Sequence, residues 1–135
     1  MNDMFEYMSA MQKEIRRNNP KHAFYFAWKL EEINPVFMMN RLQEIVSEDI
    51  GAAQPNLPMV FQILKKQYFD KMNKGKDGDL ELAHLIMLLA SGPKSRDTVA
   101  LIDVVGLGIE HGELNLPIPD YALDKHTRRG KANGS

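Results

Sequence analysis

Glu81 and His84 form E-x-x-H within the most apolar stretch of the chain, LELAHLIMLLA, and Glu48 and Asp49 stand side by side in VSEDIGAAQP. Each arrangement has a chemistry attached. A carboxylate and an imidazole three residues apart share a helix face and can ligate one metal. Ferritin-like di-iron centres need two such motifs and two further glutamates on partner helices. The second E-x-x-H is absent from this sequence, so His84 reads as a histidine at a helix surface or satisfied in the core. Adjacent carboxylates do acid–base work only beside a nucleophile, a base or a metal, and neither Glu48 nor Asp49 has such company nearby in sequence. They also sit where a helix ends, and carboxylates are unfavourable at that negative end unless something offsets them.

Other constellations fail on spacing. The phosphate-binding loop GxxxxGK[ST] is missing, and KGKDG is only a glycine-containing turn. An EF-hand reading from Asn73 puts Gly75 at its third position and His84 at its twelfth, where ligands belong. His22, His111 and His126 are scattered, and Ser9, Ser47, Ser91 and Ser95 lie in no GxSxG context. With no cysteine, disulfides, thiolate nucleophiles and cysteine-ligated metal sites drop out. The expectation is no catalytic residue, no metal, no cofactor, and no enzyme activity in this chain.

The elements that would position these residues are helical nearly throughout. At 135 residues, 44% hydrophobic and 26% charged with a net charge of −1, the chain has the means to bury one core and no polyelectrolyte character. No apolar run is long enough to span a bilayer, and the acids near the N-terminus exclude a signal peptide; a cytoplasmic location is expected. Met4, Met8, Met11 and Ile15 line one face of a first helix. NP at 19–20 and at 34–35 reads as a capping asparagine followed by a proline at the first helical position. This predicts helices over about 20–33 and 35–49, the latter stopped by Gly51. Further helices are predicted over about 58–72 and 80–91, with Asp77 or Asp79 capping the second of these, and Ser95 is expected to cap a sixth helix carrying Val99, Leu101, Ile102, Val105 and Ile109. The prediction is one all-α bundle of about six helices over residues 1–112, with a proline-containing arm and basic tail over 113–135.

Two surfaces invite partners. Phe24, Phe26 and Trp28 alternate around the second helix and cannot all face one core, which makes them a possible subunit interface. Lys125, Arg128, Arg129 and Lys131 stand against Asp124 alone in the tail, a composition suited to phosphate contact without sequence readout. Lys13, Arg16 and Arg17 form a second basic cluster at the end of the first helix.

The segments MSAMQKEIRRNNPKHAFYFAWKLEE, RLQEIVSEDIGAAQP and LELAHLIMLLASGPKS, in this order between Met8 and Ile109, resemble the C-terminal helical domain of the RarA/MgsA group of AAA+ ATPases. That group includes the Werner-helicase-interacting ATPase and lies in the clamp-loader clade. The most specific pieces are Ser47-Glu48-Asp49-Ile50-Gly51 and Pro93-Lys94-Ser95. The resemblance implies a helical module that joins subunits into a tetramer, behind a separate ATPase module working at stalled replication forks. The expected function is thus non-enzymatic self-association, with a small DNA-binding or replication accessory protein using the basic tail as the alternative. Glu48, Asp49, Gly51, Pro93, Lys94 and Ser95 are expected to form a structural corner. In it, Glu48 would meet Glu44 or Arg41, and Asp49 would accept from backbone N–H groups of the next turn or pair with Lys94.

Overall fold

A computed structural model describes residues 3–123, 125–126 and 128–132, the side chain of Arg129 excepted. The chain is all-α. The order is α1 (Met4–Arg16), α2 (Pro20–Ile33), α3 (Pro35–Ile45), a π-helical turn (Val46–Ile50), a 3-10 turn (Gly51–Ala53), α4 (Leu57–Asn73), α5 (Asp79–Ser91) and α6 (Asp97–Glu110). A 3-10 turn (Asp120–Ala122) and the short α7 (Arg128–Ala132) follow. Among the described residues there is no strand, and no helix is long and apolar enough to cross a membrane.

The chain divides into two units, Met1–Ala100 and Leu101–Ser135. The division falls inside α6, upstream of the 112/113 boundary read from the prolines.

In the first unit, local chemistry sets the helix ends. The Asn19 side chain accepts from the His22 N–H at 3.2 Å and the Asn34 side chain from the Phe37 N–H at 2.9 Å. In each case proline stands at the next position, where its missing N–H costs nothing. Helix α1 ends with Asn18 at φ 59°; the Asn18 N–H bonds to the Ile15 carbonyl and the Asn19 N–H to that of Glu14. This pairing is a Schellman motif, with asparagine in the left-handed position that glycine usually takes. Gly75, at φ 76°, closes α4 in the same way through bonds from Gly75 to Met72 and from Lys76 to Lys71. Asp77, rather than Asp79, supplies the side-chain acceptor at the start of α5, taking the Asp79 N–H at 3.2 Å.

The core gathers one stripe from each of α1 to α5: Met11 and Ile15, Ala23 and Leu30, Met39 and Leu42, Phe61 and Tyr68, Leu82 and Leu89. Ala23 and Ala27 leave α2 a flat inner face against which α1 packs closely, so the two form a hairpin. Gly78 permits one further close approach: a Cβ there would lie 2.3 Å from the Tyr68 ring, so only glycine lets that ring pass under the α5 N-terminus.

The second unit is built differently. Gly112, at φ 71°, ends α6, and the N–H groups of Glu113 and Leu114 both bond to the Gly108 carbonyl. The returning Leu114 side chain sits where a Cβ on Gly108 would be, at 2.9 Å. None of the α6 side chains is buried.

Candidate functional site

The acids of VSEDIG lie on the π-helical turn that extends α3. A π turn inserts one residue into the helical ladder, and Gly51, at φ 52°, then reverses the chain. The result turns Asp49 inward, to 1% exposure, against the end of α1. Its Oδ2 accepts from Gln12 Nε2 at 3.0 Å, and its Oδ1 accepts from Arg16 Nε at 3.0 Å with an Arg96 guanidinium nitrogen 3.4 Å away. Glu48 accepts from the same Gln12 amide at 2.8 Å. The Asp49 carbonyl takes the Ser95 N–H at 3.0 Å, and Ser95 Oγ takes the Asp97 N–H at 3.2 Å, at the start of α6. Gly51 packs so near Ser95 and Thr98 that a Cβ would meet both at 3.0–3.1 Å.

These contacts answer the dipole objection. The carboxylate at the negative end of a helix is offset by two guanidinium groups and a buried amide. Asp49 does not pair with Lys94. Lys94 Nζ donates instead to Ala90 and Gly92 carbonyls at 3.0 and 3.2 Å and to the Asn18 side chain, and so closes the C-terminus of α5. Burial lowers the Lys94 pKa, and the nearby Asp49 charge works against that shift. Nor does Glu48 meet Glu44 or Arg41; it bonds to Gln12. Sequence reasoning placed Arg16 in a basic cluster but did not pair it with Asp49, and it missed Gln12 and Arg96. The available signal was a glutamine at position 12, inside the Met8–Met11–Ile15 stripe, with an arginine one turn on.

The E-x-x-H pair separates. Glu81 is buried and held by Lys71 Nζ, 2.7 and 2.9 Å from its two oxygens, and this hydrogen bond lowers its pKa. His84 is exposed. Glu31 accepts from the Tyr68 hydroxyl; burial raises both pKa values, and the bond to Glu31 raises that of Tyr68 further. No group of three or more potential ligands among the described residues could hold a metal.

The aromatic side chains of α2 fall into two groups. Phe24 and Trp28 lie edge to face at 5.9 Å, with Trp28 partly open to solvent. Phe26 points elsewhere, between Tyr25 at 5.2 Å and Tyr7 at 6.4 Å. In the tail, Lys125, Arg128 and Lys131 are exposed, and the Arg129 side chain lies outside the described residues.

The largest apolar exposure lies on α6. Leu101 and Ile102 are each 65% exposed, Val104 69% and Ile109 62%, with Val105 and Leu107 also open. Leu101, Ile102, Val105 and Ile109 recur at one-, three- and four-residue steps and share a side, while Asp103 and Glu110 mark the other. The four side chains on the shared side make an apolar patch on the order of 300 Å², a size at which apolar surface marks an interaction site. The sequence shows this stripe but not its exposure, because burial within a chain and burial against a second chain demand the same spacing.

The chain is 24% identical over 131 residues to the replication-associated recombination protein A of Haemophilus influenzae. That alignment covers 96% of this chain and 28% of the relative, so the chain spans little more than a quarter of that protein's length. The model of the C-terminal region of the MgsA AAA+ ATPases matches residues 18–135. The chain therefore belongs to the MgsA AAA+ ATPase C-terminal family.

Proposed function

We propose that this domain is a non-enzymatic self-association module, joining copies of itself as the helical end of a replication- and recombination-associated ATPase. The observation that carries the reading is α6, an apolar helix of 14 residues with no buried side chain. A helix that is apolar over so much of its surface is normally buried against another surface. Burial of each branched side chain contributes about 1.5–3 kcal/mol, so the four that share a side of α6 supply a contact that can hold a second copy once ordering costs are met. The Phe24–Trp28 pair offers a smaller contact of the same kind, and a tetramer is the assembly we expect. In this reading nucleotide hydrolysis resides in a module outside this chain, and the protein works in the cytoplasm.

Sedimentation and light scattering test the proposal. The chain should be oligomeric at tens of micromolar, and Ile102→Asp with Val105→Asp should shift it towards monomer without loss of helix. A monomer at that concentration overturns the reading. The exposed Lys125, Arg128 and Lys131 favour a second proposed role, phosphate contact by the tail, which would appear as salt-sensitive DNA binding lost on neutralising them.

A further inference from the structure

The outer face of the α1–α2 hairpin carries two adjoining hollows that share one ring. The first, about 540 Å³, runs along α1 over the small side chains of Ser9 and Ala10, with Phe5 at one end, Phe26 at the side, and Lys13 and Arg17 at the other end. The second, about 360 Å³, is lined by Lys21, His22, Tyr25 and Phe26. Rings and cations thus share both hollows: Phe5, Lys13, Arg17 and Phe26 line the first, and Phe26, Lys21 and Tyr25 the second. Tyr25 is 55% exposed and Phe5 57%, so their ring surfaces are open to solvent. The acids on this face are Glu6 and Glu14. Glu14 accepts from Asn19 Nδ2 at 3.0 Å and lies within 3.8–3.9 Å of Arg17 and His22, so it is tied to the turn between the two helices.

We propose that this face is a binding site for single-stranded nucleic acid, with bases stacked on Phe5 and Tyr25 over the partly buried Phe26 and phosphates held by Lys13, Arg17 and Lys21. A single strand presents flat rings and anions together, and stacking on aromatic side chains beside cationic groups is how such strands are held without sequence preference. A duplex hides its base faces and would meet only the cations. An extended peptide would need unpaired main-chain donors and acceptors, and the helical backbone here has closed its own. The site is independent of α6, so it stands or falls apart from self-association.

The test is fluorescence anisotropy of the full chain with a labelled oligothymidylate about a dozen nucleotides long, at low and rising salt. Binding is expected, falling with a log–log salt slope of about −2 for three phosphate contacts. Tyr25→Ala and Lys21→Glu should each weaken it at least about fivefold, while Tyr25→Phe, which keeps the ring, should bind as the parent does. A Lys125→Gln, Arg128→Gln, Lys131→Gln variant should lose far less, and a blunt duplex should bind more weakly than the single strand. Circular dichroism and light scattering of each variant should match the parent, since the substituted side chains are solvent-exposed. Absence of binding at low salt, indifference to both Tyr25→Ala and Lys21→Glu, or loss confined to the tail variant would overturn the proposal.

Discussion

Replacing Asp49 by asparagine probes the corner with almost no change in shape. The side chain is 1% exposed, and its charged oxygens meet Gln12 and Arg16 at 3.0 Å and Arg96 at 3.4 Å. Removing one partner of a fully buried ion pair costs about 3–5 kcal/mol, because the other charge is left desolvated. Here the orphaned guanidinium groups are 38% and 52% exposed, so water recovers a large part of that loss. Asparagine also retains one acceptor oxygen, although its amide then faces either Gln12 or Arg16 as a second donor. The net expectation is a loss of about 2 kcal/mol, with the partly exposed pairs discounted for solvent. For a chain of this size that is a fall of roughly 6–10 °C in melting temperature. Urea and thermal unfolding at neutral pH, followed by circular dichroism, read both numbers. A double-mutant cycle with Arg16→Met should recover at least about 1 kcal/mol as coupling. A change below about 0.5 kcal/mol, within the range of ordinary surface substitutions, would refute the claim that the contacts to Asp49 stabilise the corner.

Gly78→Ala places a methyl group 2.3 Å from the Tyr68 ring and should cost about 1–3 kcal/mol in a urea melt. Asn34→Ala removes the acceptor for the Phe37 N–H and should cost about 1 kcal/mol, read the same way. The bond from Lys71 depresses the Glu81 pKa, so its stabilisation is present above the ordinary glutamate value of about 4.3 and is lost as pH falls through the lower folded value; Lys71→Met should flatten that acid limb of the stability–pH curve. Glu31 is shifted the other way by burial. Its contribution is therefore most favourable below about pH 4.3 and is lost as pH rises through its higher folded value, and Glu31→Gln should gain stability at pH 7 relative to pH 4.

Local signals in the sequence carried most of the fold. The two NP pairs, the 3.6-residue stripes and Gly51 act within a few residues of themselves, so a one-dimensional reading finds them. The reading stopped where distant segments meet. Gln12, Arg16 and Arg96 are far from Asp49 in sequence, and their types alone do not say which acid they will find. Lys94, the nearest expected partner, is taken by carbonyls of its own helix end. The π turn is also silent in the sequence, since VSEDI carries no residue that enforces the extra insertion, and tertiary packing decides it. The α1–α2 hollows depend on how two helices dock, and their rings and cations are spread over positions 5 to 26, with no spacing that a motif would reveal.

The bonds around Asp49 join positions 33, 37 and 47 residues apart, and this has a consequence for rates. Each of them requires a long loop to be closed first, at an entropic cost that the local caps and helical turns do not bear. The α1–α2 hairpin with its Schellman turn at Asn18, and the turn at Gly75, can form early; the corner is expected to close late, after the rate-limiting step. A contact absent from the transition state leaves the folding rate alone and slows escape from the native state. About 2 kcal/mol at Asp49 would then appear as a roughly thirtyfold change in unfolding rate, which makes the acid corner a latch on an already assembled bundle.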